Sequence, residues 1–202
     1  VSPIRERFRK EVLTTIAEAA EQVFAEQGLR DAHVGLIAKR AGVAVGTLYN
    51  YYKDRDALLV ALIDQRQDEL FEALDRAIDS VAPPAPFQEQ LLAFVLAYFA
   101  FLTTHRLFLK ILMEGELMHL QTALPRAASV HIACHKRIFQ RMEELFAAGA
   151  ESGAIRPDAA SLGPWLVMGM MRGIAIRDLR GYKTYEPVDA SMMVDIFVRG
   201  AT

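Results

Sequence analysis

Residues 36 to 52 read LIAKRAGVAVGTLYNYY, and the organisation of the whole N-terminal region follows from them. Apolar Leu36, Ile37 and Ala41 recur at helical spacing and run into Gly42-Val43; a second short helix starts at Val45. Two helices joined by a short turn containing glycine form a helix-turn-helix. Gly42 suits the left-handed conformation that ends the first helix, because it has no Cβ to clash. Val43, Leu48 and Tyr52 then face inward and fix the angle between the helices. Thr47, Tyr49, Asn50 and Tyr51 are left on the outer surface. A second helix with such a face fits the major groove of DNA, about 12 Å wide.

Upstream, Arg5, Arg7, Arg9 and Lys10 form a basic arm. It could meet phosphates or a minor groove, or be a solvated terminus. Val12, Ile16, Ala19, Ala20, Val23 and Phe24 then repeat at helical spacing, and Gly28 closes that helix. Val34 opens the next one, with Asp31 or His33 at the cap and His a poor choice for it. Downstream, Asp54 or Asp56 caps a long helix whose stripe is Leu58, Leu59, Leu62, Ile63, Leu70, Phe71, Leu74 and Ile78. Pro83, Pro84 and Pro86 end it.

These residues resemble the TetR family of bacterial transcriptional regulators. The resemblance covers roughly residues 12 to 63: a helix ending FAEQG, then V-x-x-IA-x-x-AGV, GTLYNYY and K-x-x-x-ALL, in family order with no insertion. It implies a three-helix DNA-binding head, a long linking helix, a helical body and a homodimer. It also implies that Val45, Gly46, Thr47, Tyr49, Asn50 and Tyr51 face the DNA. Gly46 would let the backbone approach closely, Val45 could touch only a thymine methyl, and Asn50 could pair with adenine. Tyr49 and Tyr51 would offer hydroxyls to phosphates, and Lys53 and Arg55 would grip phosphate. Two positions depart from the pattern. Ala44 stands where a hydroxyl cap is usual, and Gly35 where some relatives carry a base-reading Arg. Both shift recognition toward phosphates and DNA shape.

Composition sets the bounds. The chain has 202 residues, 52% hydrophobic and 24% charged, with a net charge of -2; this excludes a disordered chain and a uniformly basic coat. Through Arg55 there are nine Lys/Arg against seven Asp/Glu, and beyond it fourteen against eighteen. A mildly basic head on an acidic body fits a polyanion partner. The single Cys134 excludes an internal disulfide and suits the cytoplasm. The start lacks a secretion signal, and the apolar run from Leu91 to Thr104 is short of a membrane span, so no membrane is expected.

The body reads as helices over Phe87 to Thr104, Arg106 to Leu117, Leu124 to Glu151, Ala159 to Tyr182 and Pro187 to Val198. The expected class is therefore all-α, with residues 1–55 as the head and 56–202 as a ligand-binding and dimerisation domain. The resemblance implies a ligand pocket behind the head, and Phe94, Tyr98, Phe101, Phe108, Met113, His131, His135, Trp165 and Met168 are its candidate lining. Such side chains are equally the ordinary content of a core. Met118, Met142 and Met171 belong to the same soft set. The resemblance further puts the dimer seam on the last two long helices, where Gly169 and Gly173 share a face that suits close helix approach or internal packing.

His131, Cys134 and His135 share one helix face at i, i+3 and i+4. A metal there needs further ligands from another helix, such as Glu116 or His119, so the alternative of a metal protein or enzyme stays open. Neither a nucleophile-base set nor a phosphate-cradling loop is present. The expected function is a non-enzymatic repressor without a cofactor. It would bind a palindromic operator in double-stranded DNA as a homodimer and be released by a small hydrophobic or amphipathic effector; an effector-independent DNA binder is the remaining variant.

Overall fold

Helix-forming periodicity runs almost unbroken through this sequence, and the described residues answer it with helices. The computed structural model describes residues 3–81, 85–113, 125–179, 181 and 189–201. Of Arg30, Leu112, Met113, Pro125, Ala127, Ala128 and His131 only the backbone is described. The helices are α1 Pro3–Asp31, α2 Val34–Ala41, α3 Val45–Tyr51, α4 Arg55–Asp79, α5 Phe87–Thr104, α6 Arg106–Met113, α7 Pro125–Glu151, α8 Pro157–Leu179 and α9 Ala190–Ala201. Among the described residues there is no strand.

Contacts divide the chain into two compact units, residues 1–66 with 107–131 and residues 67–106 with 132–202. In the first, Ile16, Ala20, Val23 and Phe24 of α1 are buried, as are Ile37 and Ala38 of α2, Leu48 of α3, and Leu58, Leu59, Leu62 and Ile63 of α4. Fully burying one such leucine or isoleucine contributes roughly 1.5–3 kcal/mol. Gly28 interrupts α1 near its end with φ 79°, and Gly42 ends α2 with φ 67°. At Gly42 the backbone N–H caps the Ala38 and Lys39 carbonyls, the arrangement that only glycine adopts without strain.

The second unit is built on a run of aromatic rings. Phe87 of α5 meets Phe146 of α7 edge-on at 5.0 Å, and Phe146 meets Phe197 of α9 at 5.3 Å. Two glycines let the helices come this close. A Cβ at Gly149 would stand 2.5 Å from the Phe87 ring, and one at Gly163 of α8 would overlap Phe146. Both rings would have to move. Gly169 and Gly173 have nothing within 4 Å where a Cβ would be, so within this unit they serve no close packing.

Several boundaries differ from those read in the sequence. Pro157 is the first residue of α8 rather than part of a loop; its missing N–H is one that a first helical turn leaves unbonded anyway. The last helix runs to Ala201, three residues beyond Val198, because Phe197 and Ala201 are buried. Pro83, Pro84, Glu116, Leu117, Met118, His119, Leu124, Tyr182 and Pro187 lie outside the described residues. Among the described residues two helices, α5 with 18 residues and α8 with 23, are long and apolar enough to cross a membrane. On α5 that apolarity serves the core through Phe87, Leu91, Phe94, Val95, Tyr98, Phe101 and Leu102.

Candidate nucleic-acid interface

The turn between α2 and α3 sets the interface. Ala44 occupies the N-cap of α3 with extended backbone and no side-chain hydrogen bond, as its missing hydroxyl requires. Leu48 is fully buried and turns α3 about its own axis. Val45, Gly46, Tyr49 and Asn50 then fall on an exposed arc, about 140° of the circumference at about 100° a residue. Val45 is 43% exposed and Tyr49 50%. Thr47 and Tyr51, expected outside, are half-buried. On a seven-residue helix anchored by Leu48, one position before it and three after it swing toward the head rather than away from it. Val43 and Tyr52 are likewise half-buried.

No Lys or Arg lies on α3 itself; the cations surround it. Lys53 Nζ is 3.6 Å from Asp54, and the Arg55 guanidinium rests on Asp56 at 3.1 Å. Arg40, on α2, reaches Glu26 of α1 at 2.7 Å, and Lys39 beside it is exposed. These two α2 cations escape a reading of the second helix alone; their place in the last turn before Gly42 is the signal. Asp54 caps α4 by accepting the Ala57 N–H at 2.6 Å. That bond, helped by Lys53, holds its carboxyl below the ordinary value. Asp54, rather than Asp56, is thus the cap. His33 stands at the α2 cap without a side-chain hydrogen bond.

Residues 16–62 match the family described as "Bacterial regulatory proteins, tetR family". Over these residues the chain resembles the TetR family of transcriptional regulators. Similarity extends past the head. The chain is 27% identical over 150 residues to the HTH-type transcriptional regulator YhgD of Bacillus subtilis, covering 70% of this chain and 71% of that one. It is 27% identical over 178 residues to the HTH-type transcriptional repressor KstR2 of Mycobacterium tuberculosis, covering 88% and 84%. Its fold superposes on the transcriptional regulator FadR of Bacillus subtilis in complex with stearoyl-CoA with a TM-score of 0.77. That match has 24% identity over 94% of this chain and 99% of the other.

In the body, the candidate ligand residues divide between the two units. Phe94, Tyr98, Phe101, His135, Trp165 and Met168 belong to the second unit, while Phe108, Met113 and His131 belong to the first. Phe94, Tyr98 and Phe101 are buried, Met168 is half-buried, and Trp165 is 65% exposed with Phe139 packed on it at 4.3 Å. The side chains of Met113 and His131 lie outside the described set. Burial pushes the Tyr98 phenol up to about 12, against the pull of Arg172. Partial desolvation and then the Arg172 charge hold the His135 imidazole below its usual value, although the residue as a whole is exposed. The Arg172 charge of α8 thus reaches both the Tyr98 phenol of α5 and the His135 imidazole of α7.

Of the proposed metal face, the His131 side chain, Glu116 and His119 lie outside the described residues. Cys134 is buried with its thiol directed to the Gln67 carbonyl at 3.9 Å, while His135 is exposed. Among the described residues no three His, Cys, Asp or Glu side chains gather as a metal site. The reading of α7 as a metal helix is not favoured.

Proposed function

We propose that this protein is a one-component repressor that binds an inverted-repeat operator as a homodimer and is released by a small hydrophobic or amphipathic molecule. The observation that carries the DNA reading is the outward arc of α3, Val45, Gly46, Tyr49 and Asn50, flanked by Lys53 and Arg55. In this reading Thr47 and Tyr51 contribute from the edges of the arc, and the division of labour falls at residue 55, with residues 56–202 binding effector and partner. The protein acts without catalysis, in the cytoplasm.

The dimer reading rests on α8 and α9. Leu162, Trp165, Leu166, Met192 and Ile196 are all strongly exposed, and large contiguous apolar exposure marks an association site. An apolar groove of about 350 Å³ lies along them, lined by Leu162, Leu166, Met170, Ile196 and Phe197 among others. A two-fold packing of these helices covers both copies' exposed residues at once, since such an interface uses the same patch twice.

The effector reading rests on the buried aromatics of α5 together with Tyr98, His135 and Arg172, an apolar wall with a polar end. FadR of Bacillus subtilis, whose fold this chain shares, is known in complex with stearoyl-CoA; a long-chain acyl thioester is the first compound to test. The experiment is selection of sites from a random duplex library, followed by titration of the selected duplex with and without stearoyl-CoA. An enriched inverted repeat with half-sites about one or more helical turns apart supports the dimeric reader. Enrichment of nothing, with binding lost at moderate salt, overturns it.

A further inference from the structure

The DNA-facing arc of α3 has an unusual chemistry for a base reader. The commonest specific contact in a major groove is an Arg or Lys paired with guanine O6 and N7, and α3 offers neither. Nor do the surrounding cations point to a replacement from the same helix. Arg40 is engaged by Glu26 at 2.7 Å and Arg55 by Asp56 at 3.1 Å, while Lys53 has Asp54 at 3.6 Å. At Gly35, near the start of α2, there is no side chain at all.

What the arc does present is a valine and an amide. Among the large apolar side chains of α2 and α3, Val45 and Tyr49 alone are strongly exposed. Val45 adjoins Gly46, where even a Cβ would meet nothing within 4 Å, so nothing beside it keeps its methyl groups from a flat partner. Only one base carries an apolar group into the major groove: thymine, through its C5-methyl. Farther round the same arc Asn50 is exposed, and its amide matches the N6 and N7 edge of adenine. Both groups on this face therefore suit A·T pairs.

We infer that Val45 is a specificity-determining residue that selects a thymine methyl in each operator half-site, and that α3 itself makes no bidentate guanine contact. This rests on the DNA-binding reading above. Val45 gives up its water on docking and gains a methyl–methyl contact; thymine without its methyl loses that gain. One buried methyl group is worth about fourfold in affinity.

The test begins with the duplex selected from the random library. Each thymine of a half-site is replaced in turn by 2′-deoxyuridine, which removes only the methyl group. Affinity is then measured for the unaltered protein and for Val45→Ala. The expected result is one thymine per half-site whose replacement weakens binding about fourfold, with Val45→Ala binding both duplexes equally. Val45→Ala with the full deoxyuridine penalty, or no thymine with a penalty, overturns the inference while leaving the operator reading intact. So does a selected guanine whose 7-deaza analogue costs affinity in the unaltered protein but not in Asn50→Ala. Failure to enrich any sequence overturns the operator reading first, and this inference with it.

Discussion

The Glu21 carboxylate of α1 holds the Arg66 guanidinium of α4 at 2.8 Å inside the first unit. Arg66 Nε donates to the same oxygen at 2.9 Å, and the other Glu21 oxygen accepts the Phe108 N–H of α6 at 3.0 Å. One buried carboxylate thus joins three helices. Removing one partner of a buried pair leaves the other charge uncompensated, at about 3–5 kcal/mol. Glu21→Ala is expected to lower unfolding stability by that order, and Glu21→Met with Arg66→Met by less than the two single changes together. Urea unfolding of the unaltered protein, Glu21→Ala, Glu21→Met, Arg66→Met and the double variant checks this; strict additivity would mean the two side chains contribute independently.

Ala44 has the extended backbone of an N-cap, with φ -67° and ψ 147°, and no oxygen to use there. Ala44→Ser supplies one to the first turn of α3. Stability is expected to rise by about 1 kcal/mol, read as a shift in urea midpoint at constant slope. An unchanged midpoint would show that this end of α3 is already satisfied by water.

The proposed function assigns Lys53 and Tyr49 to the DNA. Lys53→Ala should reduce the slope of log affinity against log salt by about one unit. Tyr49→Ala should weaken operator binding with fold and dimer unchanged, as circular dichroism and sedimentation would verify. Full affinity in both variants would sink the residue assignment.

Trp165 and Ile196 are 65% and 63% exposed. A glutamate at either position would place a charge in the proposed seam, where an unpaired charge is strongly unfavourable. Trp165→Glu and Ile196→Glu are expected to sediment as monomers and to lose operator affinity more than tenfold, on the order of one lost half-site or more. Dimers of undiminished affinity would move the seam elsewhere.

Protonation of His135 should couple to stability. Partial desolvation and Arg172 hold its imidazole below the ordinary value in the folded chain, so in the window beneath about 6.5 the unfolded chain binds a proton that the folded one does not. Stability therefore rises with pH across that window and is lost as pH falls through it toward the folded value. His135→Gln should flatten the fall in melting temperature between about pH 7.5 and about pH 5. An equal fall in the variant would assign the effect to other groups.

The fold was legible where periodicity and punctuation agreed. Gly42, Leu48, the uncapped Ala44 and the stripe of α4 all follow from local sequence, because each turns on one residue's own conformational or solvation preference. Orientation on α3 was less legible. Thr47 and Tyr51 turn partly inward because the setting of a seven-residue helix depends on its neighbours rather than on its own pattern. Glu21 was invisible as a core residue although Ala17 and Ala25, one turn either side, are buried; its partners lie 45 and 87 positions away. The body was the least legible part. Phe94 and Trp165 look alike in composition, and only tertiary packing makes one core and the other surface.

At Gly35 a Cβ would meet nothing within 4 Å, and the residue is exposed within α2. Glycine is a poorer helix former than nearly every other residue, so nearly any side chain fits there and most would firm the helix. Target preference and stability are thus separable at this position. After a gene duplication, one copy could acquire a new base contact there in a single substitution, without first passing through a weakened head. For engineering, the same vacancy is the natural place to retarget the protein to a different operator.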